Sequence, residues 1–130
     1  MKIMVCYDGG EAAKEAMKVA KDHAKAFGAS VEVVTALAKG LEDEVAKIQS
    51  AETELEYAQS FFEDDGISCN KHLLIHGLTA GEDMVQFAKE NNVDQIFIGV
   101  KKRSKVGKLV FGSTAQYVIL ETDCPVVTVK

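Results

Sequence analysis

"VDQIFIGVKKRSKVGKLVFGSTAQYVILETDCPVVTVK" (Val93–Lys130) runs from an apolar strand through a basic loop and a helix into a second apolar strand. The first eight residues are β-branched or aromatic at their centre, STAQYVILET has helical character, and Pro125 opens the closing PVVTVK. Strand–helix–strand is the unit from which parallel sheets are built, because a parallel partner is reached only through a long crossover.

The same alternation extends back to the first residue. KIMVCYD (Lys2–Asp8) reads as a strand, and Gly9–Gly28 as a helix with Ala12, Ala16, Val19, Ala20 and Phe27 at helical spacing and Gly28 as its stop. SVEVVTALA (Ser30–Ala38) is a second strand. A long acidic helix follows from Gly40 to Asp65, with Leu41, Val45, Ile48, Leu55, Ala58 and Phe62 as its apolar stripe and its acids as a solvated face. ISCNKHLLIHG (Ile67–Gly77) is a third strand and TAGEDMVQFAKENN (Thr79–Asn92) a third helix. The expectation is a single domain over residues 1–130 of the α/β class. It is a doubly wound, Rossmann-like, five-stranded parallel sheet with helices on both faces and right-handed crossovers.

With 130 residues, 47% hydrophobic and 27% charged, the composition is that of an ordinary globular chain. No apolar run approaches the roughly 18 residues that span a bilayer, and Met1-Lys2 leads straight into the first strand, so a cytoplasmic protein without membrane association is expected. Cys6, Cys69 and Cys124 are odd in number and form no CxxC pair, which suits buried reduced thiols. His23, His72 and His76 have no ligand spacing, and no metal site is expected. The net charge of −5 argues against nucleic acid as a partner. Against that balance, Lys101, Lys102, Arg103, Lys105 and Lys108 crowd into one loop without interleaved aromatics, a pattern for a small anion. The alternative is an exposed loop that keeps like charges in water.

Ligands of open α/β sheets bind beyond the carboxyl ends of the strands where strand order reverses, which directs attention to Asp8-Gly9-Gly10 and to Gly99 onward. Several nucleotide signatures fail there. YDGGEAAKEA lacks GxGxxG spacing, and Gly107-Lys108 is followed by Leu109 where a P-loop needs Ser or Thr. A lone Asp8 and His76-Gly77 do not supply the acidic residues of a phosphorylatable receiver domain, and Asp8-Gly9-Gly10 does not match a pyrophosphatase SGGxDS loop. No triad, carboxylate pair or metal cluster for catalysis stands out, so no catalytic residue is assigned.

One pattern fits. Gly99, Gly112 and Ser113 stand at the spacing of G-x2-G-x9-G-[ST], followed by STAQYVIL and DCPVVTV. In this the chain resembles the universal stress protein family. The resemblance extends to VCYDGGEAAKEAMKVA at the start and HGLTAGEDMVQFAKENNVDQIFIG in the middle, and so covers the whole chain. Glycines allow backbone to approach a phosphate, and Gly112-Ser113 opens a helix whose free N–H groups favour an anion. Ser113 either caps that helix or bonds a phosphate. Lys102 stands at the second glycine of the motif, and Gly10 where the family often has Ser. A lysine there replaces bare backbone with a charged side chain.

The resemblance implies an adenine nucleotide alpha hydrolase-like fold and a regulatory module that binds ATP, with Mg2+ held through the nucleotide, and acts in stress response. It implies Asp8 beside the adenine and ribose, with helix capping as that residue's other reading, and Ala36 lining the base pocket. It places Gly99, Gly112, Ser113 and Thr114 at the ribose and phosphates. Apart from the resemblance, the charge cluster itself offers Lys101, Lys102, Arg103 and Lys105 as an anion site built from side chains rather than glycine. The resemblance further implies a homodimer through the last strand (Val126 to Val129) and an unidentified protein partner. Two other readings stand beside it: an interaction protein of the same fold that binds no nucleotide, and a weak ATPase limited to slow hydrolysis.

Overall fold

The computed structural model describes residues 1–37, 45–101 and 112–130. Strands and helices alternate along it: β1 (Lys2–Cys6), α1 (Glu11–Phe27), β2 (Ser30–Ala36), α2 (Val45–Glu63), β3 (Cys69–Leu74), α3 (Ala80–Glu90), β4 (Gln95–Gly99), α4 (Ser113–Glu121) and β5 (Val126–Val129). All pairings are parallel, in the order β3-β2-β1-β4-β5. The expected five-stranded parallel sheet is therefore present, with strands ending one to three residues earlier than their apolar character suggests. β1 stops at Cys6 rather than Asp8, and β3 at Leu74 rather than Gly77.

Side chains of a strand alternate between faces, and the core divides accordingly. Ile3, Val5, Tyr7, Val31, Val33 and Phe97 face α1 and α2, where they meet Met17, Ala20 and Ala24 of the first and Leu55, Ala58 and Phe62 of the second. Met4, Cys6, Val34, Ile96 and Ile98 face the other way, onto Met84, Val85 and Phe87 of α3 and Ala115 and Val118 of α4. A sheet covered on both faces needs apolar residues at consecutive positions, which is why β1 reads IMVC without alternation.

Two of the helical stripes differ from the sequence reading. In α1 the buried set is Ala13, Ala16, Met17, Ala20 and Ala24, and Phe27 is 62% exposed. Gly28, at φ +64°, turns the chain out of the helix directly after Phe27 and leaves that ring beyond the sheet. In α2 only Leu55, Ala58 and Phe62 are buried, whereas Val45 is 62% exposed. The packed part is the C-terminal half. Leu41 and the start of that predicted helix lie outside the described residues.

Two histidine–carboxylate contacts bind the α3 side of the molecule. The His76 Nδ1–H donates to Asp83 Oδ1 at 2.8 Å, and the carboxylate, 1% exposed, also accepts the His76 backbone N–H at 3.4 Å. His72 donates through Nε2 to Glu32 Oε2 at 2.9 Å while its ring packs on Phe87. The start of α3 carries a capping box, in which the Thr79 hydroxyl accepts the Glu82 N–H and the Glu82 carboxylate accepts the Thr79 N–H.

Candidate functional site

All five strands run the same way, so their carboxyl ends share one edge, and strand order reverses there between β1 and β4. A cavity of about 390 Å³ opens at that point. Asp8 and Gly10 line it from the β1–α1 loop, Thr35 and Ala36 from the end of β2, and Ala80 and Met84 from α3. Gly99, Val100 and Lys101 border it from β4, and Gly112, Ser113 and Thr114 from the start of α4. Asp8, Ala36, Gly99, Lys101, Gly112, Ser113 and Thr114 thus come together around one space. Lys102 and Arg103, with Lys105 and Lys108, lie outside the described residues.

At the β1 end the chain turns through Gly9, whose φ of +81° a side chain would strain. The Gly10 N–H then donates to Asp8 Oδ1 at 2.8 Å. Gly10 itself is the N-cap of α1, with no side-chain cap, so Asp8 braces the turn instead of capping the helix. Beneath the turn lies Tyr7, 1% exposed, whose hydroxyl donates to Glu54 Oε2 at 3.2 Å. Burial, followed by the Glu54 charge, pushes the Tyr7 phenol above its ordinary range. Glu54 is accordingly half-buried against the loop and no member of a solvated face.

The end of β2 supplies backbone groups. The Val31 and Leu37 N–H groups donate to Ser68 and Leu74 of the β3 side. Strand alternation therefore turns the Ala36 N–H and C=O toward β1, which has already ended. In that register the next β1 carbonyl is that of Tyr7, which accepts the Thr35 hydroxyl at 2.6 Å. Among the described residues no backbone group pairs with Ala36 on this side, which leaves its N–H and C=O at the cavity with the apolar side chains of Met84 and Ile98. Cys6 adds a small apolar surface there; burial first, then Cys124 and Asp8, pushes its thiol up to about 12, so it is protonated at neutral pH. All three cysteines are free, with Cys6 and Cys69 buried and Cys124 only half-buried.

The two motif glycines within the described residues answer to different constraints. A Cβ on Gly99 would collide with the Ala12 carbonyl group and lie 2.7 Å from Ala13 N. Its absence lets the start of α1 sit directly on β4. Gly112 has no described residue within 4 Å of where a Cβ would stand. It is the N-cap of α4, without a side-chain cap and without an acidic residue in the first turn. Ser113 is consequently the first residue inside the helix and not its cap. By contrast α3, which also reaches the cavity, has its Glu82 N–H capped by the Thr79 hydroxyl and has Glu82 and Asp83 in the first turn. Among the described residues, no side-chain cap and no first-turn acid offset the positive end of α4.

Tyr7, Glu54, Thr35 and Met84 were not singled out in the sequence. Glu54 had no local signal, since its partner is 47 residues away. Thr35 and Met84 belong to an apolar strand and an apolar helical stripe, where they read as core. Among the described residues no group of three His, Cys, Asp or Glu gathers as a metal site, and no helix is long and apolar enough to cross a membrane.

Comparison with known proteins agrees with this fold. The model of the universal stress protein family matches residues 1–130. A universal stress protein of Thermus aquaticus, encoded in the 3′ region of a sulfhydrylase gene, is 33% identical over 98% of this chain and 97% of its own. The structure of a universal stress protein from Archaeoglobus fulgidus is 37% identical, with a TM-score of 0.89, covering 100% of this chain and 98% of that one. Another, from the same organism and solved in complex with dAMP, is 31% identical with a TM-score of 0.85 over 100% and 98% of the two chains. With its family signature matched from end to end, this chain belongs to the universal stress protein family.

Proposed function

We propose that the cavity binds an adenine nucleotide, ATP with Mg2+ in the first instance, and that the protein is a regulatory module acting through partners rather than an enzyme. One observation carries the reading. One cavity has, among the described residues, unpaired backbone groups of Ala36 beside apolar side chains at its β2 end, and a helix N-terminus without a side-chain cap at its α4 end. The first suits a planar heteroaromatic base, the second a phosphate. The Archaeoglobus relative solved with dAMP supports the same ligand class.

In this arrangement Ala36 reads the base and Asp8 accepts from ribose. Gly112, Ser113 and Thr114 hold phosphate, and Lys101 with Lys102 and Arg103 adds positive charge. Gly99 acts at one remove, by seating α1 on β4. Titration calorimetry with ATP and Mg2+, at low and high salt, tests the reading. Micromolar affinity that weakens with salt is expected, because charge attracts the polyphosphate. No binding by folded protein free of carried-over nucleotide would leave the non-nucleotide interaction protein as the reading. Lys102→Gly, which restores the motif glycine, should then tighten ATP binding if the loop cradles phosphate and change nothing if it does not. Slow ATP hydrolysis, if present, should vanish in Asp8→Ala.

A further inference from the structure

We infer that Glu54 is a positioning residue of the cavity. Through the Tyr7 hydroxyl and the Gly9 turn, it fixes the Asp8 carboxylate for a hydroxyl group of the ligand, a nucleoside carrying a ribose. This inference rests on the nucleotide reading and adds a residue from α2, an element that does not line the cavity.

Three contacts make the case. Glu54 Oε2 accepts the hydroxyl of Tyr7, a buried side chain that cannot move away from it. The Glu54 side chain also occupies the space above the turn, with Cγ and Cδ each 3.2 Å from where a Cβ of Gly9 would stand. One turn along α2, Tyr57 packs against Lys14 of α1, whose Nζ lies 5.6 Å from the ring centroid. Residues three apart share a helix face, so Glu54 and Tyr57 together hold this face of α2 against the start of α1. Beneath Glu54 the turn carries Gly10, whose N–H engages Asp8 Oδ1. Among the described residues Oδ1 alone of the Asp8 carboxylate is engaged, which leaves Oδ2 to accept from a ligand. Orientation of Asp8 therefore depends on a turn packed by the Glu54 side chain, which the Tyr7 hydroxyl holds in place.

A positioning role differs from a purely structural one in which ligand it affects. Binding of AMP and of 2′,3′-dideoxyadenosine monophosphate, which has no ribose hydroxyl, would be measured calorimetrically for the native protein, Tyr7→Phe, Glu54→Ala and Glu54→Gln. The native protein should prefer AMP by about tenfold, the value of a hydrogen bond to a charged acceptor. Tyr7→Phe and Glu54→Ala should each bring that ratio near one while leaving the dideoxy affinity within about twofold. Glu54→Gln, whose amide oxygen still accepts the Tyr7 hydroxyl, should keep most of the preference. The double variant Tyr7→Phe/Glu54→Ala should be no worse than either single one. Equal loss for both ligands, an unchanged ratio in Glu54→Ala, or a Gln variant as impaired as Ala would overturn the inference and leave the nucleotide reading intact. Failure of the native protein to bind either ligand would overturn both. Tyr7→Phe removes one oxygen atom and guards against misfolding as the cause.

Discussion

Two glycines of one motif separate packing from binding. Gly99 is glycine because α1 rests on it, and Gly99→Ala forces a Cβ into the Ala12 backbone. Overpacking of this kind costs about 1–3 kcal/mol, and the displacement would fall on the cavity wall, so urea unfolding should show lost stability together with weakened ligand binding. Among the described residues Gly112→Ala meets open space at an ordinary φ of −65°, and its stability cost should stay below about 1 kcal/mol. Any loss of nucleotide affinity in that variant then reports the ligand and not the fold. The thiols provide a second test at this scale. At pH 8 a thiol reagent should modify Cys124 alone in the native protein, and Cys6 and Cys69 only after unfolding, because burial keeps both as thiols and out of reach. The folded state holds these protons up to about 12 while the unfolded chain releases them near 9.0. Stability should therefore decline as pH rises through that interval, as equilibrium unfolding at several pH values would show.

At the scale of elements, α3 shows what is needed to hold a helix over a sheet edge. Asp83 is 1% exposed and takes its side-chain hydrogen bond from His76. Among the described residues His76→Ala leaves that carboxylate with only a long bond from the backbone, and a cost of about 1–3 kcal/mol is expected in denaturant unfolding, with His76→Asn losing less. Elements of this kind were legible in the sequence because each is long and periodic. Their existence, order and parallel sense followed from alternation alone. Less could be read from the stripes. Leu55, Ala58 and Phe62 of α2 were found, but Val45 has the same spacing and is exposed, since periodicity records which face is apolar and not how far a neighbour extends along it. Glu54 illustrates the same gap for the site. On a helix rich in acids it is indistinguishable from Glu52 or Glu56, and only the meeting of α2 with the end of β1 makes it different. The Asp8, Ala36, Gly99 and Gly112 positions were legible for other reasons. Asp8 and Gly99 sit at strand ends that topology brings to one edge, whereas Ala36 and Gly112 came from the family resemblance and its motif.

The whole molecule ends its sheet in two unlike ways. At one edge β3 exposes Asn70 and Lys71, polar residues that discourage pairing. At the other, β5 is short, apolar and unpaired on its outer side among the described residues, and Leu120 of α4, 77% exposed, adds a large apolar side chain to the surface. We propose that a second copy of the chain pairs with this edge. The register identifies which groups are available. Carbonyls of Pro125 and Val129 accept from Ile96 of β4 and from Val100 just after it, so the odd positions along β5 face inward and the backbone groups of Val126 and Thr128 face outward. Thr128→Pro removes an outward N–H without touching the β4 ladder, a place where an edge strand tolerates proline. Sedimentation of the native protein at micromolar concentration should give a species near 28 kDa, twice the 14.1 kDa chain. The Thr128→Pro variant should sediment as the single chain with its circular dichroism unchanged. A native protein found only at the mass of one chain would exclude the pairing, and a dimer that survives the proline would place the contact elsewhere than the β5 edge.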